Sequence, residues 1–205
     1  MASTNASVVR GKPKGDKRDR TRAALLGAAR ALVREKGYER TTLEAVATRA
    51  GMTTGAIYGN FKNRDELFIA LGQRYWAPVV PKVKPGATFA EAMRALAKAT
   101  LAAVEERRSA AVGRLTGLAY TLRNSDLRAQ VHDVTKSSYE FGAEWLNTFD
   151  RSELPMPADR LVRVVHALIE GLVMQRIITP DLVPDEVFYA AFAALAQSTK
   201  EKGQP

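Results

Sequence analysis

The stretch of residues 41–68, TTLEAVATRAGMTTGAIYGNFKNRDELF, constrains this chain more than any other part of it. Two short segments with helical spacing meet at Gly51, where glycine takes a left-handed turn conformation without steric cost. A short helix, a glycine turn and a second short helix are typical of a helix-turn-helix. The pattern therefore predicts a second helix that is presented to a groove of DNA.

Threonines mark the start of both short helices. Thr41 and Glu44 have the spacing of a capping box, so the first helix begins at Thr41 or Thr42. Thr53 caps the second helix, and Ile57 lies on its inner face. We expect both helices to start at these residues.

The second helix has a glycine-rich outer face. Phe61 lies four residues after Ile57 on the inner side, whereas Gly55, Ala56 and Gly59 lie on the opposite side. Each glycine costs a helix about 1 kcal/mol relative to alanine, so stability does not explain them. Close approach to a phosphate or a base edge does explain them. The alternative is a short connector helix with a solvated face.

The positive charge of the chain is confined to its first third. Residues 1–64 hold 14 Lys and Arg against 5 Asp and Glu, a net of +9, whereas residues 65–205 hold 17 of each. A basic segment beside a helix that fits a groove is typical of a nucleic-acid binder. Residues 1–17 are small, polar and charged, and we expect a flexible basic arm that either contacts phosphates or is simply solvated. They lack the bulky apolar face that a membrane-surface helix requires.

Composition excludes several other classes of protein. The 205 residues include no cysteine, which excludes disulfides, thiolate zinc sites and a cysteine nucleophile. No apolar run approaches the roughly 20 residues that span a bilayer, and the N-terminus has no apolar signal segment. We therefore expect a cytoplasmic protein with no membrane contact.

The rest of the chain also reads as helical, so we predict an all-α fold. Helical spacing recurs over residues 19–36, 65–77, 88–107, 110–122, 126–149, 159–178 and 184–198. Three prolines in residues 78–86 break the pattern and separate a head from a larger second domain. The predicted organisation is an arm (1–17), a three-helix head with the helix-turn-helix (18–78) and a regulatory and dimerisation domain (79–205).

Residues 18–78 contain a long ordered set of characteristic positions. They are Gly37-Tyr38, Thr41-Thr42, Val46-Ala47, Ala50-Gly51, Thr53, Gly55, Ile57-Tyr58, Phe61-Lys62 and Glu66-Leu67-Phe68. In this order and spacing, the segment resembles the TetR family of bacterial transcriptional regulators. The family's pattern differs at Gly59 and Asn60, where it often has His or bulky aromatic residues.

The resemblance implies a DNA-binding surface on the head. The third helix would enter the major groove with its small and polar side chains toward base edges. Tyr58 and Lys62 would reach phosphates, as would Thr42 at the start of the second helix. The DNA-binding residues that we predict are Thr42, Thr53, Thr54, Gly55, Ala56, Tyr58, Gly59, Asn60 and Lys62.

The helix at 159–178 is apolar on two sides, and such a helix needs two packing partners. One partner is its own domain and the other is a second subunit; the alternative is a monomer with a fully buried central helix. By resemblance, the last two helices pair with their copies in a homodimer, which would set two recognition helices about 34 Å apart on a palindromic operator. The predicted interface residues are Leu161, Val165, Leu168, Leu172, Phe188, Phe192 and Leu195.

Members of the family commonly bind a small molecule between the helices of the second domain. The candidates for such an effector site are Met93, Tyr120, Tyr139, Phe141, Trp145, His166, Glu170 and Met174. His166 and Glu170 are four residues apart, which could also suit a metal ion. With two histidines and no cysteine in the chain, we expect no metal and no cofactor.

Three functions follow from the residues and the resemblance. The first is a dimeric DNA-binding repressor that a small molecule releases from its operator. The second is a regulator of the same fold that activates, or that acts without a ligand. The third is an enzyme, but the sequence has no glycine-rich cofactor loop, no GxSxG motif and no carboxylate–histidine cluster beyond the pair of His166 and Glu170. We therefore expect a transcriptional regulator and no enzyme.

Overall fold

The computed structural model describes residues 14–197, which form nine α-helices and no strand. The all-α prediction is confirmed. The helices are α1 (Lys14–Lys36), α2 (Leu43–Arg49), α3 (Thr54–Tyr58), α4 (Arg64–Tyr75), α5 (Phe89–Arg108), α6 (Ala111–Arg123), α7 (Ser125–Leu146), α8 (Ala158–Ile178) and α9 (Asp185–Gln197). Single 3-10 turns lie at Arg151–Glu153 and Pro180–Leu182.

Two compact units divide between Leu71 and Gly72, within α4. Residues 72–78, which we assigned to the head, therefore group with the second unit. Helix α1 begins at Lys14, so the last four residues of the predicted arm are helical. Residues 1–13 of that arm lie outside the described part of the chain.

The first unit is a helical head around a small apolar core. Leu25 and Ala29 of α1 are fully buried, and so are Val46 of α2 and Leu67 of α4. Their spacing puts one apolar face of each helix on this core. Outside the core, Arg49 Nη2 lies 2.5 Å from Glu35 Oε1, which joins α2 to the end of α1.

The second unit is organised around α5. Thr88 caps α5 and forms a reciprocal capping box with Glu91. Helix α5 packs against α9 and α8, and α8 packs against α7. The side chains at the centre of this core are Phe89, Met93, Leu96, Leu161, Val173, Phe188 and Phe192.

Two contrasts in packing matter for the second unit. At Gly142 in α7, a Cβ atom would lie 2.5 Å from Val162 Cγ2 of α8, so only glycine allows this approach. Helix α6 is held much more loosely, because Ala111 is its one buried residue. Val112 and Leu122 of α6 are 66% and 70% exposed.

Across residues 14–197, no helix combines the length and apolarity needed to cross a membrane.

Candidate nucleic-acid interface

The turn between α2 and α3 is built by Gly51. Its φ of 65° is left-handed, as the sequence predicted. Its N–H donates to Thr48 O at 3.1 Å, and Met52 N–H donates to Ala47 O at 2.9 Å. These two bonds form a Schellman motif, which ends α2 and redirects the chain into α3.

Threonine side chains start both helices of the motif. Thr42 Oγ1 accepts a bond from Ala45 N–H at 3.2 Å, and Thr53 Oγ1 accepts one from Ala56 N–H at 3.2 Å. Thr41 is fully buried instead and donates to Gly37 O at 2.8 Å. Of the two predicted starts of α2, Thr42 is therefore the one that caps the helix.

Helix α3 has a buried side and an open side. Ile57 and Phe61 are buried in the head, as their spacing predicted. Most of the nine predicted DNA-binding residues are exposed, and Ala56 and Asn60 are half-buried. The exposed members are Thr42, Thr53, Thr54, Gly55, Tyr58, Gly59 and Lys62. We call the surface formed by Thr53, Thr54, Gly55, Tyr58 and Gly59 the outer face of α3.

Tyr58 and Glu44 interact on this exposed surface. Tyr58 Oη donates a hydrogen bond of 2.7 Å to Glu44 Oε1. The bond lowers the pKa of the Glu44 carboxyl and raises the pKa of the Tyr58 hydroxyl. An ionised carboxylate therefore lies beside a residue that we predicted to contact phosphate.

Both the side chain and the carbonyl of Asn60 form hydrogen bonds within the head. Its Nδ2 donates to Ala56 O at 2.8 Å, and its Oδ1 is buried without a hydrogen-bond partner. Arg22 of α1 donates to Asn60 O at 2.8 Å, and its guanidinium lies 4.4 Å from the centre of the Phe61 ring. We predicted that Asn60 contacts a base, but its side-chain amide instead bonds to the backbone of α3.

In the segment after α3, two backbone-to-side-chain hydrogen bonds fix the backbone at Lys62 and the start of α4. Lys62 N–H donates to Glu66 Oε2 at 2.8 Å, and Glu66 N–H donates to Asn63 Oδ1 at 2.8 Å. These bonds start α4 and leave the Lys62 side chain exposed. Sequence reasoning missed Arg22, which acts on a residue 38 positions away. It assigned Glu44 to a capping box and missed its bond with Tyr58, which lies 14 positions away.

The predicted interface residues of α8 and α9 require a correction. Leu161, Phe188 and Phe192 are fully buried in their own unit, and Val165 is 8% exposed. A side chain without exposed surface has nothing to offer a second subunit. Leu168, Leu172 and Leu195 are half-buried.

The predicted effector residues are scattered through the second unit. Met93 is fully buried in the core, whereas Phe141 is 67% exposed on α7 and is not enclosed by its own unit. Trp145 packs edge-on against Phe149 with 5.3 Å between ring centres. Tyr120 and Met174 are half-buried. These positions put Phe141 on the surface and not in a pocket lining.

Three of the eight predicted effector residues come together. Tyr139 Oη lies 3.0 Å from His166 Nδ1, and Glu170 follows one turn later on α8. Burial lowers the pKa of His166, and the nearby arginines also lower it, against the opposing effect of Glu170. In the part of the chain that the structure describes, no three metal-ligating side chains form a group that could hold a metal ion.

A polar group that the sequence did not reveal surrounds Glu170. Trp76 Nε1 donates to Glu170 Oε1 at 2.6 Å, and Arg114 Nη2 donates to Glu170 Oε2 at 3.1 Å. Arg107 Nη1 lies 3.6 Å from Glu170 Oε1, and its Nη2 donates to Ala77 O at 2.5 Å. These contacts join residues from the end of α4 to α5, α6 and α8.

Comparisons with known proteins agree with this architecture. Residues 25–71 match the family model described as bacterial regulatory proteins, tetR family. Residues 84–198 match a second model, the tetracyclin repressor-like C-terminal domain. The second match alone spans more than half of the chain.

One similar protein is the HTH-type transcriptional regulator TtgR of Pseudomonas putida. It is 47% identical over 51 residues, which cover 25% of this chain and 24% of TtgR. The match thus spans about a quarter of that relative's length.

Solved structures are similar over most of the chain. NalD, the secondary repressor of the MexAB-OprM multidrug efflux pump in Pseudomonas aeruginosa, is 27% identical with a TM-score of 0.58. That similarity covers 87% of this chain and 94% of NalD. A TetR-like transcriptional regulator from Rhodococcus sp. RHA1 shares the fold at 18% identity, with a TM-score of 0.55 and coverage of 90% and 97%. With both family models matched in order, the chain belongs to the tetR family of bacterial regulatory proteins.

Proposed function

We propose that this chain is a homodimeric DNA-binding repressor, which occupies a palindromic operator and leaves it when a small molecule binds the second unit. The observation that carries the proposal is the outer face of α3. Gly55 and Gly59 are exposed there while Ile57 and Phe61 anchor the helix from behind. A rigidly supported, sterically bare helix suits entry into a major groove.

The charge of the chain supports the same function. The net basic charge of the chain comes from residues 1–64, which include the whole helix-turn-helix, because residues 65–205 hold equal numbers of basic and acidic residues. Such an excess attracts the phosphate backbone and supplies affinity that does not depend on sequence. Base contacts from the outer face of α3 would then provide the sequence preference.

Repression is supported by what the similar proteins do. NalD is a repressor of a multidrug efflux pump, and TtgR is a transcriptional regulator. A repressor needs no surface for recruiting polymerase; it needs only to occupy its operator. Release by a ligand requires that the ligand bind one conformation of the protein more tightly than another.

A second subunit is proposed to pack on α8 and α9. From Val164 onward, the exposed residues of α8 recur every three or four positions and form one continuous face. They are Val164, Ala167, Gly171, Gln175 and Ile178, and the matching small residues of α9 are Ala190 and Ala194. Val164 is 39% exposed and Ile178 is 63% exposed, so this face carries apolar surface to bury. Small residues between them permit two helices to approach closely.

Selection of binding sites from random duplex DNA at physiological salt tests the proposed function. We expect enrichment of a palindrome whose half-sites lie about one helical turn apart. The matched control is Ala167→Glu, which puts a charge on the proposed dimer face and should enrich single half-sites weakly. Absence of enrichment with the unmodified protein would contradict DNA recognition. Enrichment of a site without two-fold symmetry would contradict the dimer.

A further inference from the structure

The polar cluster of Trp76, Arg107, Arg114 and Glu170 carries one more positive charge than negative charge. Arginine stays protonated in proteins, so the two guanidinium groups face a single carboxylate. Neighbouring His166 supplies no compensating negative charge, because imidazole is either neutral or positive. The cluster lies within the second unit. Glu106, an exposed residue of α5, also attracts Arg107, but Glu170 is the single carboxylate within the cluster.

The hydrogen bonds of the cluster show the same deficit. Arg107 is 5% exposed, and its Nη1 has no hydrogen-bond acceptor. Arg114 Nε is also buried without an acceptor. Leaving donors of buried charged groups without acceptors is costly, so both atoms favour an additional oxygen ligand.

Both oxygens of Glu170 are already engaged, one by Trp76 and the other by Arg114. An organic cation would therefore have to displace two donors before it met a free carboxylate. The indole of Trp76 is also occupied, since Arg107 lies 4.8 Å and Arg114 5.6 Å from the ring centre. An anion, in contrast, would complete the coordination of both arginines.

Part of the cluster reaches the surface at Arg114 of α6. The side chain of Arg114 is 28% exposed, whereas that of Arg107 is 6% exposed. Leu118 lies one turn after Arg114 and is 40% exposed, and Leu115 is 48% exposed. Because residues four apart share one side of a helix, Leu118 is an exposed apolar side chain on the same side of α6 as Arg114.

We propose that this cluster binds an organic anion with an apolar body, whose acidic oxygens are held by Arg114 and Arg107 while its apolar part packs against α6. This site depends on the proposed function in one respect, because the organic anion would be the small molecule that releases the protein from its operator. Arg–carboxylate and Arg–sulfonate contacts are charge-assisted and geometrically specific, because the planar guanidinium offers parallel donors. Glu170 would compete with the ligand for the same arginines.

Binding of two matched fluorescent probes to the full chain tests this site without DNA. Anilinonaphthalene sulfonate is the anionic probe, and phenylnaphthylamine is its neutral counterpart without the sulfonate. At fixed ionic strength, we expect Arg114→Gln to weaken binding of the sulfonate by about tenfold and to leave the neutral probe unchanged. Arg108→Gln is the control, because Arg108 is exposed on α5 and pairs with Glu105.

Glu170→Gln gives a result that a purely structural role would not produce. Removing the competing carboxylate should strengthen sulfonate binding, and it should increase the rise in melting temperature that the sulfonate causes. The proposal is overturned if the neutral probe binds as tightly as the anion, or if Arg114→Gln and Arg108→Gln behave alike. Sulfonate binding that leaves operator occupancy unchanged would support the anion site and contradict ligand-controlled release.

Discussion

The hydroxyl of Tyr58 donates a 2.7 Å hydrogen bond to the carboxylate of Glu44, which joins α3 to α2 across the helix-turn-helix. This bond has two opposing effects on a DNA-binding surface. It holds the tyrosine in one orientation, and it places a negative charge where phosphates would approach. The phosphate contact that we predict for Tyr58 would require this hydroxyl to leave Glu44.

Replacing Glu44 with Gln should strengthen binding to every duplex by about fivefold, because it removes one charge that repels the backbone. Salt titration of the binding constant would measure the effect. Glu105→Gln is a matched control, since Glu105 is exposed on α5 of the second unit and should leave DNA binding unchanged. Weaker binding by Glu44→Gln would instead show that the orientation of Tyr58 outweighs the charge.

Tyr58→Ala and Lys62→Ala should weaken binding to all sequences about equally, because phosphate contacts carry no base information. Lys62→Ala should also reduce the salt dependence of binding by about one phosphate contact. Competition between operator and random DNA measures both effects. A changed sequence preference with little loss of affinity would show that Tyr58 and Lys62 contact bases and not phosphates.

Gly55→Ala separates the stability of α3 from its contact with DNA. A Cβ at Gly55 would meet only Thr53 Oγ1 at 3.8 Å, so the fold accepts it and gains up to about 1 kcal/mol of stability. The same methyl stands on the outer face, and we expect DNA affinity to fall by at least about tenfold.

The control for that variant is Gly27→Ala in α1, where a Cβ would meet nothing within 4 Å. Both variants should melt at a higher temperature than the unmodified protein, but only Gly55→Ala should lose affinity. Equal DNA binding by the two variants would show that nothing approaches Gly55 closely.

The helix-turn-helix could be predicted because its determinants are local. Gly51, Thr42 and Thr53 each act within a few residues, through a left-handed turn or a cap. The sides of α3 followed equally well from the spacing of Ile57 and Phe61. Caps and left-handed turns depend only on neighbouring residues, so they form in the same way whatever the tertiary structure around them.

The faces of α8 could not be predicted in the same way. Periodicity correctly identified a helix that is apolar on two sides. Of its predicted interface residues, Leu161 and Val165 are buried within the unit, whereas Leu168 and Leu172 are half-buried. Which side faces inward depends on where α5 and α7 lie, and helix spacing does not contain that information. The polar cluster is subject to the same limit, because Trp76 and Glu170 are 94 residues apart.

Ala167→Glu should convert the dimer that we propose into a monomer. Ala167 is exposed in the middle of the apolar face of α8, and an unpaired charge there would have to be desolvated in the dimer. Mass measured by light scattering reports the result. Ala129→Glu on the exposed surface of α7 is the control and should remain dimeric; an unchanged mass for Ala167→Glu would place the interface elsewhere.

His166 should make folding sensitive to acid. Burial lowers its pKa in the folded state below the ordinary 6.5, so below that pH the unfolded chain binds more protons than the folded one. The stabilisation is complete above about 6.5 and is lost as pH falls below it. We expect the free energy of unfolding to decrease as the pH falls below about 6.5.

Urea denaturation of two variants isolates this contribution. His166→Gln should flatten the dependence on pH, whereas His132→Gln should follow the unmodified protein, because His132 is exposed on α7. The same slope in both variants would assign the acid sensitivity to other groups. Glu170, Arg107 and Arg114 remain in place in both proteins and do not confound the comparison.

Helix α6 gives the chain an uneven tolerance of mutation. Since Ala111 is its one buried residue, most substitutions along α6 remove little packing and cost little stability. Substitutions at Ile57 or Phe61 would open cavities in the small core of the head. Selection can therefore change α6 at little cost in stability while it keeps the helix-turn-helix fixed, so that the anion site that we propose could change its ligand preference without refolding the head.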